Sequence, residues 1–149
     1  MKRNLMAAAL LGTLALVGCD RVDPDSPQGK RSAIFKEMLK VSEDLGGMLR
    51  GRLAFDAGRF AEGAVELESL SRQPWQYFPH EGEDGSSSAR DDVWARQERF
   101  QELAQQMEAA TAALVAASGQ TPLTPAQVGP ALQQVEDGCE ACHREFRVY

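Results

Sequence analysis

Near the C-terminus two cysteines and a histidine lie within five residues, in the segment Cys139-Glu-Ala-Cys142-His143. On a helix these three side chains share one face, because residues three and four positions apart are neighbours there. Both sulfurs could then bond the vinyl groups along one edge of a porphyrin, and His143 could give its iron a neutral imidazole. The spacing C-x-x-C-H is typical of covalent haem attachment. We therefore predict one haem c, bound covalently by Cys139 and Cys142, with His143 as the axial iron ligand.

Three other uses of these residues have less support. A thioredoxin-type redox pair lies at a helix N-terminus that follows a strand, where the helix dipole lowers the thiol pKa. Cys139 and Cys142 instead lie near the end of a predicted helix, and no strand precedes them. A zinc site needs four ligands, and the only other histidine, His80, lies in a predicted loop. A disulfide between cysteines one helical turn apart would be strained.

The elements that position this motif are predicted to be helices. The chain of 149 residues is long enough for one domain. Between its prolines and glycines it is rich in Ala, Leu, Glu, Gln, Arg and Met, and its β-branched residues form no alternating runs. The sequence therefore predicts an all-α fold, an antiparallel four-helix bundle of up-down-up-down topology.

Apolar periodicity and capping signals place the four helices. We expect the first over residues 31–52, the second from a cap at Asp56 to about residue 71, and the third over residues 89–117. Thr124-Pro125 is a start signal for the fourth. The first helix carries an apolar stripe made of Ile34, Met38, Val41, Leu45 and Met48, widened by Phe35, Leu39 and Leu49. Residues 73–88 form one long irregular connection, whose Trp75, Tyr77 and Phe78 are expected to cover one side of the core.

Bundle topology predicts what faces the haem. The first and fourth helices run antiparallel in an up-down-up-down bundle, so the start of the first lies level with the end of the fourth. Residues 31–35 are therefore expected to face the haem on the side opposite His143. Ile34, Phe35 and Met38 lie at this level.

The N-terminus has the pattern of an export signal. Lys2 and Arg3 precede an apolar stretch, Leu5–Leu16, which is too short for a membrane span. The following Leu16-Val17-Gly18-Cys19 resembles the lipobox of bacterial lipoproteins, in which the cysteine is acylated and becomes the first mature residue. An ordinary cleaved signal with an incidental cysteine is the alternative. A third, unpaired cysteine in an oxidising compartment favours the lipid.

These signals divide the chain into three parts. We expect a lipoprotein signal peptide over residues 1–18, a lipidated Cys19 with a polar tether to residue 30, and the haem domain over residues 31–149. More than one acyl chain would hold the protein stably on a membrane. Asp20 resembles the inner-membrane retention signal of enteric lipoproteins. The predicted location is the bacterial cell envelope, facing the periplasm and anchored to the inner membrane.

The charge of the chain excludes one class of partner. Loss of Lys2 and Arg3 with the signal changes the formal net charge from −6 to −8. An acidic domain lacks the positive patch that nucleic-acid binding needs.

The sequence shows no set of acid, base or nucleophile residues that would indicate an enzyme.

Taken in order, several segments resemble the cytochrome c′ family. They are Arg31 with an apolar residue four positions later, Arg50-Gly51, the second helix before Pro74-Trp75, Phe78-Pro79, Val93-Trp94, Phe100, and the C-terminal Cys139-Glu-Ala-Cys142-His143-Arg-Glu-Phe-Arg147. The resemblance covers nearly the whole mature domain. It implies a four-helix bundle that carries one covalent haem c.

In that family the residue four after the first-helix arginine decides the iron coordination. Methionine there gives a six-coordinate, low-spin electron carrier, whereas leucine or phenylalanine leaves the distal face without a ligand. Phe35 has no lone pair for iron, so the resemblance implies a five-coordinate, high-spin haem with His143 as its only strong ligand. An apolar pocket would favour NO and CO over O₂, and either gas would have to displace Phe35.

The resemblance also suggests roles for two arginines. Arg147 would pack beside the His143 imidazole, although a cation favoured by the helix C-terminus explains it equally well. Arg31 would face a haem propionate, and the alternative is a solvated arginine at a helix start. Trp75, Trp94 and Phe100 are assigned to packing.

Two functions remain open at this point. The first is a membrane-tethered protein that binds NO and protects against it or buffers it. The alternative is a one-electron carrier in a periplasmic respiratory chain with an unidentified redox partner, for which Met38 or His80 would have to bind the iron. A third hypothesis, a structural or signalling haem lipoprotein, has no positive support in the sequence.

Dimerisation through the first two helices is common in the family. The apolar residues Leu53 and Phe55 are compatible with a homodimer and equally with a monomer.

Overall fold

The computed structural model describes residues 22–79 and 87–148. The predicted signal peptide, Cys19 and His80 lie outside the described residues. The elements in chain order are α1 (Pro27–Leu49), α2 (Ala57–Ser71), a 3₁₀ turn (Pro74–Tyr77), α3 (Asp92–Ala95), α4 (Gln97–Ser118) and α5 (Pro125–Phe146). The long helices α1, α2, α4 and α5 form the four-helix bundle, in which α1 and α4 each contact both α2 and α5. The predicted all-α fold is confirmed, since the described residues form no strand.

Helix α1 begins four residues before its predicted start. The Ser26 side chain accepts a hydrogen bond from the Gly29 backbone N–H (3.0 Å), and Pro27 occupies the first helical turn. A capping hydroxyl followed by proline is a strong helix start, and it outweighs the polar composition that predicted a tether as far as residue 30. The helix ends before Gly51, whose φ of +73° lies in the left-handed region that favours glycine.

The predicted starts of the second and fourth helices are confirmed by their caps. The Asp56 side chain accepts from the Arg59 backbone N–H (2.9 Å) and starts α2. At the start of α5, the Thr124 backbone N–H donates to the side chain of Gln127 (2.8 Å). Thr124 and Gln127 form a capping box, in which each side chain bonds the backbone of the other residue. The capping box positions the helix that carries the cysteines.

The predicted third helix is wrong in its first part. Residues 89–91 are not helical, and Arg96, with φ −123° and ψ 48°, separates the short α3 from α4. The backbone at residues 88–90 pairs instead with the residues that end α5. Arg90 N–H donates to the Phe146 carbonyl (2.9 Å), and Val148 N–H donates to the Ser88 carbonyl (2.8 Å). These bonds hold the end of α5 against the chain that enters α3.

The core follows the predicted apolar faces with two exceptions. Its largest cluster joins all four long helices and contains Met38, Val41, Leu45, Met48, Phe60, Ala64, Leu67, Met107, Leu114, Val128, Leu132 and Val135. A second cluster contains Val93, Phe100, Leu103 and Phe146. Leu39, predicted to widen the α1 stripe, is 58% exposed. Phe55, suggested as an exposed dimer residue, is half-buried against Phe60 with ring centroids 5.6 Å apart, whereas Leu53 is exposed.

Candidate haem site

The cysteines and the histidine of the motif line one cavity at the C-terminal end of α5. Cys139, Cys142 and His143 all contribute to its wall. Its volume is about 600 Å³, within the range of about 300–1,000 Å³ typical of ligand and cofactor sites. The facing wall comes from α1, which contributes Arg31, Phe35 and Met38. The predicted juxtaposition of these α1 residues with the motif is therefore observed.

The two thiols have the properties of attachment sites rather than of a redox pair. Both are free. Burial raises the pKa of Cys139 to about 11, with smaller contributions from Cys142 and Glu136. Burial also raises the pKa of Cys142 to about 11, with a contribution from Glu145. A thioredoxin-type pair needs a lowered thiol pKa, so the environment of these cysteines contradicts that alternative.

The zinc alternative gains no support from the described residues. Among them, no group of three or more His, Cys, Asp or Glu side chains is arranged to hold a metal ion.

His143 lies in an environment that favours its neutral form. Burial lowers the pKa of its imidazole, and the positive charge of Arg147 lowers it further. Neutral imidazole is the form that binds iron. Arg147 lines the same cavity, and its backbone N–H donates to the His143 carbonyl (3.0 Å). Arg147 is thus the C-cap residue of α5, which agrees with a cation at the helix C-terminus, while its packing beside the imidazole stays a prediction.

Phe35 belongs to an aromatic wall. Its ring centroid lies 5.9 Å from that of Trp75 and 6.4 Å from that of Phe78, in edge-on arrangements. Phe100 contacts both Trp75 and Phe78, at 5.9 and 4.7 Å, and Phe146 at 5.5 Å. Trp75 and Phe100, assigned to packing alone, line the cavity as well. Sequence reasoning missed this role because a buried aromatic residue is more often part of a core.

Arg31 is buried, with only 4% of its surface exposed, so the solvated alternative is wrong. Its Nη1 donates to the Tyr77 carbonyl (2.9 Å), and its Nη2 donates to the Ser87 hydroxyl (2.8 Å). Its guanidinium also lies 4.5 Å from the centroid of the Phe78 ring. Arg31 thus fixes both ends of the connection between α2 and α3 against α1. Ser87, which also lines the cavity, was not predicted because nothing local marks it.

The residues of the cavity fit a haem. Trp75 Nε1 is the one buried side-chain nitrogen or oxygen in residues 22–79 and 87–148 that has no hydrogen-bond partner. A haem has two carboxylates that need donors, and Trp75, Arg31 and Ser87 are donors in the wall of one cavity. The thiols, the imidazole and these donors together match the chemistry of the group.

Comparison with known proteins assigns the family. A model of the family described as Cytochrome C′ matches residues 27–147. The chain belongs to the cytochrome c′ family. As a cytochrome c′ family member it carries one covalently attached haem c, for which Cys139 and Cys142 provide the C-x-x-C-H attachment.

Individual cytochromes c′ are similar over nearly the whole chain. Cytochrome c′ from Rhodopseudomonas palustris is 24% identical over 145 residues, covering 97% of each chain. The structure of cytochrome c prime from Shewanella frigidimarina has a TM-score of 0.79 at 24% identity and covers 85% of this chain and 98% of its own. A carbon monoxide-bound variant of cytochrome c prime from Alcaligenes xylosoxidans has a TM-score of 0.76 at 23% identity, covering 85% and 98%. At these identities the two structures establish the shared fold.

Proposed function

We propose that the chain binds NO, and also CO, at a five-coordinate haem, and that it protects against NO or buffers it. The observation that carries the proposal is Phe35 in the wall of the cavity, packed edge-on against Trp75 and Phe78. A phenyl ring offers no atom to iron, so the face opposite His143 has no strong ligand from this position. Structures of cytochrome c prime from Alcaligenes xylosoxidans contain CO and NO, which supports gas binding in a protein of this fold.

The residues of the chain have distinct parts in this function. Cys139 and Cys142 hold the haem covalently, and His143 offers its neutral imidazole from α5. The haem supplies an iron atom that can take up a small neutral gas. Phe35 keeps water from the distal side and must turn away before a ligand can enter. Because Trp75 and Phe78 contact its ring, that movement is opposed by packing on two sides.

The polarity of the cavity bears on which gas is preferred. The rings of Phe35, Phe78 and Phe100 present carbon atoms to the cavity, and the unpaired donor beside them, Trp75 Nε1, is assigned above to a haem carboxylate. Bound O₂ needs a donor of its own to stabilise its polarised form. A wall of this kind favours NO and CO. This function involves no turnover of an organic substrate.

The test is an absorption spectrum of the purified ferrous holoprotein, recorded with and without NO and CO. We expect a high-spin spectrum that changes when either gas is added. A sharp low-spin spectrum with a split visible band, unchanged by the gases, would contradict the proposal.

One-electron transfer is a second candidate, and one observation favours it. Met38 is buried one turn from Phe35 and lines the cavity, so a thioether lies on the same wall. Binding of Met38 to the iron would give a low-spin carrier. If Met38 binds the iron, the wild-type protein is low-spin and the Met38→Leu variant is high-spin. On the NO-binding reading both proteins are high-spin.

We also propose that the protein faces the periplasm and is anchored through an acylated Cys19. The basic, apolar and lipobox-like segments over residues 1–19 support this location. None of the described helices combines the length and the apolar character needed to cross a bilayer.

A further inference from the structure

Glu145 connects the last turn of α5 to the helix pair α3 and α4. Its Oε2 accepts from Arg96 Nη2 at 2.7 Å. Its Oε1 accepts from Arg99 Nη2 at 2.8 Å and from Arg99 Nε at 3.1 Å. One carboxylate on the haem-binding helix is thus held by two guanidinium groups of a neighbouring element.

The break between α3 and α4 occurs at one of these arginines. Arg96 has a non-helical backbone, and its guanidinium carbon lies 5.3 Å from the ring centroid of Phe146 as well as contacting Glu145. Arg99 lies in the first turn of α4 and also binds Glu102 at 2.7 Å. Charge-assisted bonds from planar guanidinium groups fix the direction of a carboxylate as well as its distance. The contacts of Glu145 with Arg96 and Arg99 therefore fix how the last turn of α5 is rotated about the helix axis.

The same turn is held a second time, through its backbone. The Phe146 carbonyl accepts from Arg90 N–H, and Val148 N–H donates to the Ser88 carbonyl. His143 lies in this turn, two residues before Glu145. The segment that carries the imidazole is thus fixed by side-chain contacts to α3 and α4 and by backbone contacts to residues 88–90.

We propose that Glu145, held by Arg96 and Arg99, is a positioning residue for His143, which sets the orientation of the imidazole toward the iron. Glu145 is only 22% exposed at its side chain, and its partners belong to other elements. The arginine side chains are 45% and 37% exposed, and ion pairs open to solvent contribute little to overall stability, so the effect of this cluster is expected mainly in geometry. The inference rests on His143 as the iron ligand and holds for either of the two functions considered above.

The chain contains a matched control. Glu140 also lies on α5, between the two haem-binding cysteines, and pairs with Arg144 at 3.8 Å. Its side chain is 75% exposed, and its partner is on the same helix, so this pair fixes nothing against a neighbour. Glu140→Gln and Glu145→Gln each remove one negative charge near the haem. Only Glu145→Gln weakens a contact between helices, because the amide keeps one acceptor oxygen where the carboxylate used two.

The experiment compares the ferric holoproteins by proton NMR. The signals of an iron-bound histidine are shifted by the unpaired electrons in a way that depends on ring orientation. They exist whether the sixth position is empty or filled, so the result is separate from the test of gas binding. We expect Glu145→Gln to move the His143 signals and Glu140→Gln to leave them near their wild-type positions.

The alternatives to positioning have their own results. If Glu145 only stabilises the fold, Glu145→Gln lowers the unfolding midpoint while the His143 signals stay in place, and the inference is overturned. If Glu145→Gln yields no holoprotein, Arg99→Gln replaces it, because this variant keeps the Arg96 contact. Moved His143 signals in Arg99→Gln would then support the inference, and unchanged signals would overturn it.

Discussion

Phe35 is the side chain on which the proposed gas binding depends. It lies in the cavity wall opposite the motif, and it is held by edge-on contacts with two other rings. Edge-on aromatic pairs contribute about 0.5–1.5 kcal/mol beyond the burial of their surface. Displacement of Phe35 by a gas must therefore overcome two such contacts, which makes the side chain a barrier to ligand entry as well as a lid.

We predict that Phe35→Met changes the coordination of the iron. A thioether at this position can bind the distal face, so the ferrous spectrum should become low-spin and CO association should slow by about tenfold or more, equivalent to about 1.4 kcal/mol in the barrier. Absorption spectroscopy and stopped-flow mixing with CO measure both effects. Ile34→Met is the control, because Ile34 packs against the same core cluster as Phe35 but does not line the cavity. A Phe35→Met protein that stays high-spin would contradict the prediction.

Residue spacing predicted which side chains line the haem site, but it did not predict their hydrogen-bond partners. The motif and Phe35 were placed correctly, because helical periodicity and antiparallel topology determine which residues share a level. The partners of Arg31 were not predicted, since Tyr77 and Ser87 lie 46 and 56 residues away in the chain. Such contacts depend on how the connection folds, and no local pattern encodes that.

Between elements, a buried polar pair joins α2 and α4. The hydroxyls of Ser71 and Thr111 lie 2.9 Å apart, and both residues are fully buried. Thr111 also lies within hydrogen-bond distance of the Met107 and Glu108 carbonyls of its own helix. The Ser71 hydroxyl likewise lies 2.8 Å from the Glu68 carbonyl of α2. The pair thus favours one register of the two helices through the bond between the hydroxyls, which a shift would break.

We expect Ser71→Ala to destabilise the holoprotein by about 1–2 kcal/mol, measured by urea unfolding, because it removes one partner from a buried pair. The double variant Ser71→Ala/Thr111→Val should cost less than the sum of its single changes, since it removes both partners together. Ser118→Ala serves as the control, because the Ser118 hydroxyl bonds only to Leu114 of its own helix. Simple additivity of the two single changes would disprove the coupling.

The helix boundaries show where sequence patterns fail. The apolar repeat of the third helix continues through Arg96 without a proline or glycine, so nothing local predicted the break. Contacts of residues 88–90 with the end of α5, and of Arg96 with Glu145 and Phe146, replace the missing helical hydrogen bonds. The early start of α1 is encoded locally in Ser26-Pro27, whereas the polar composition around these residues predicts a tether.

For the whole molecule, composition and periodicity were sufficient to predict the fold class. The acidic, helix-forming chain forms the expected four-helix bundle, and the family match over residues 27–147 covers all five helices. The location of the protein stays a prediction that rests on residues 1–19.

We predict that Cys19→Ser moves the protein from the membrane fraction to the soluble periplasmic fraction and leaves its haem spectrum unchanged. The wild-type protein should resist a high-salt wash and be released by detergent, because acyl chains are held by burial of hydrocarbon rather than by charge. Cell fractionation with mass spectrometry of the N-terminal peptide measures both. Retention on the membrane of Cys19→Ser protein whose signal has been cleaved, as read from the N-terminal peptide, would show that acylation of this cysteine is not the anchor.

The early start of α1 also limits how far the domain can stand from its anchor. Pro27 lies eight positions after Cys19, so with Cys19 acylated a fully extended chain would reach at most about 29 Å from the lipid. Phe35 lies eight residues into the helix, about 12 Å further on. With Cys19 acylated, Phe35 and the cavity wall around it would therefore lie within about 40 Å of the lipid. Because NO is a small uncharged molecule that enters hydrocarbon, a domain tethered this closely would meet ligand that leaves the membrane as well as ligand already in the surrounding fluid.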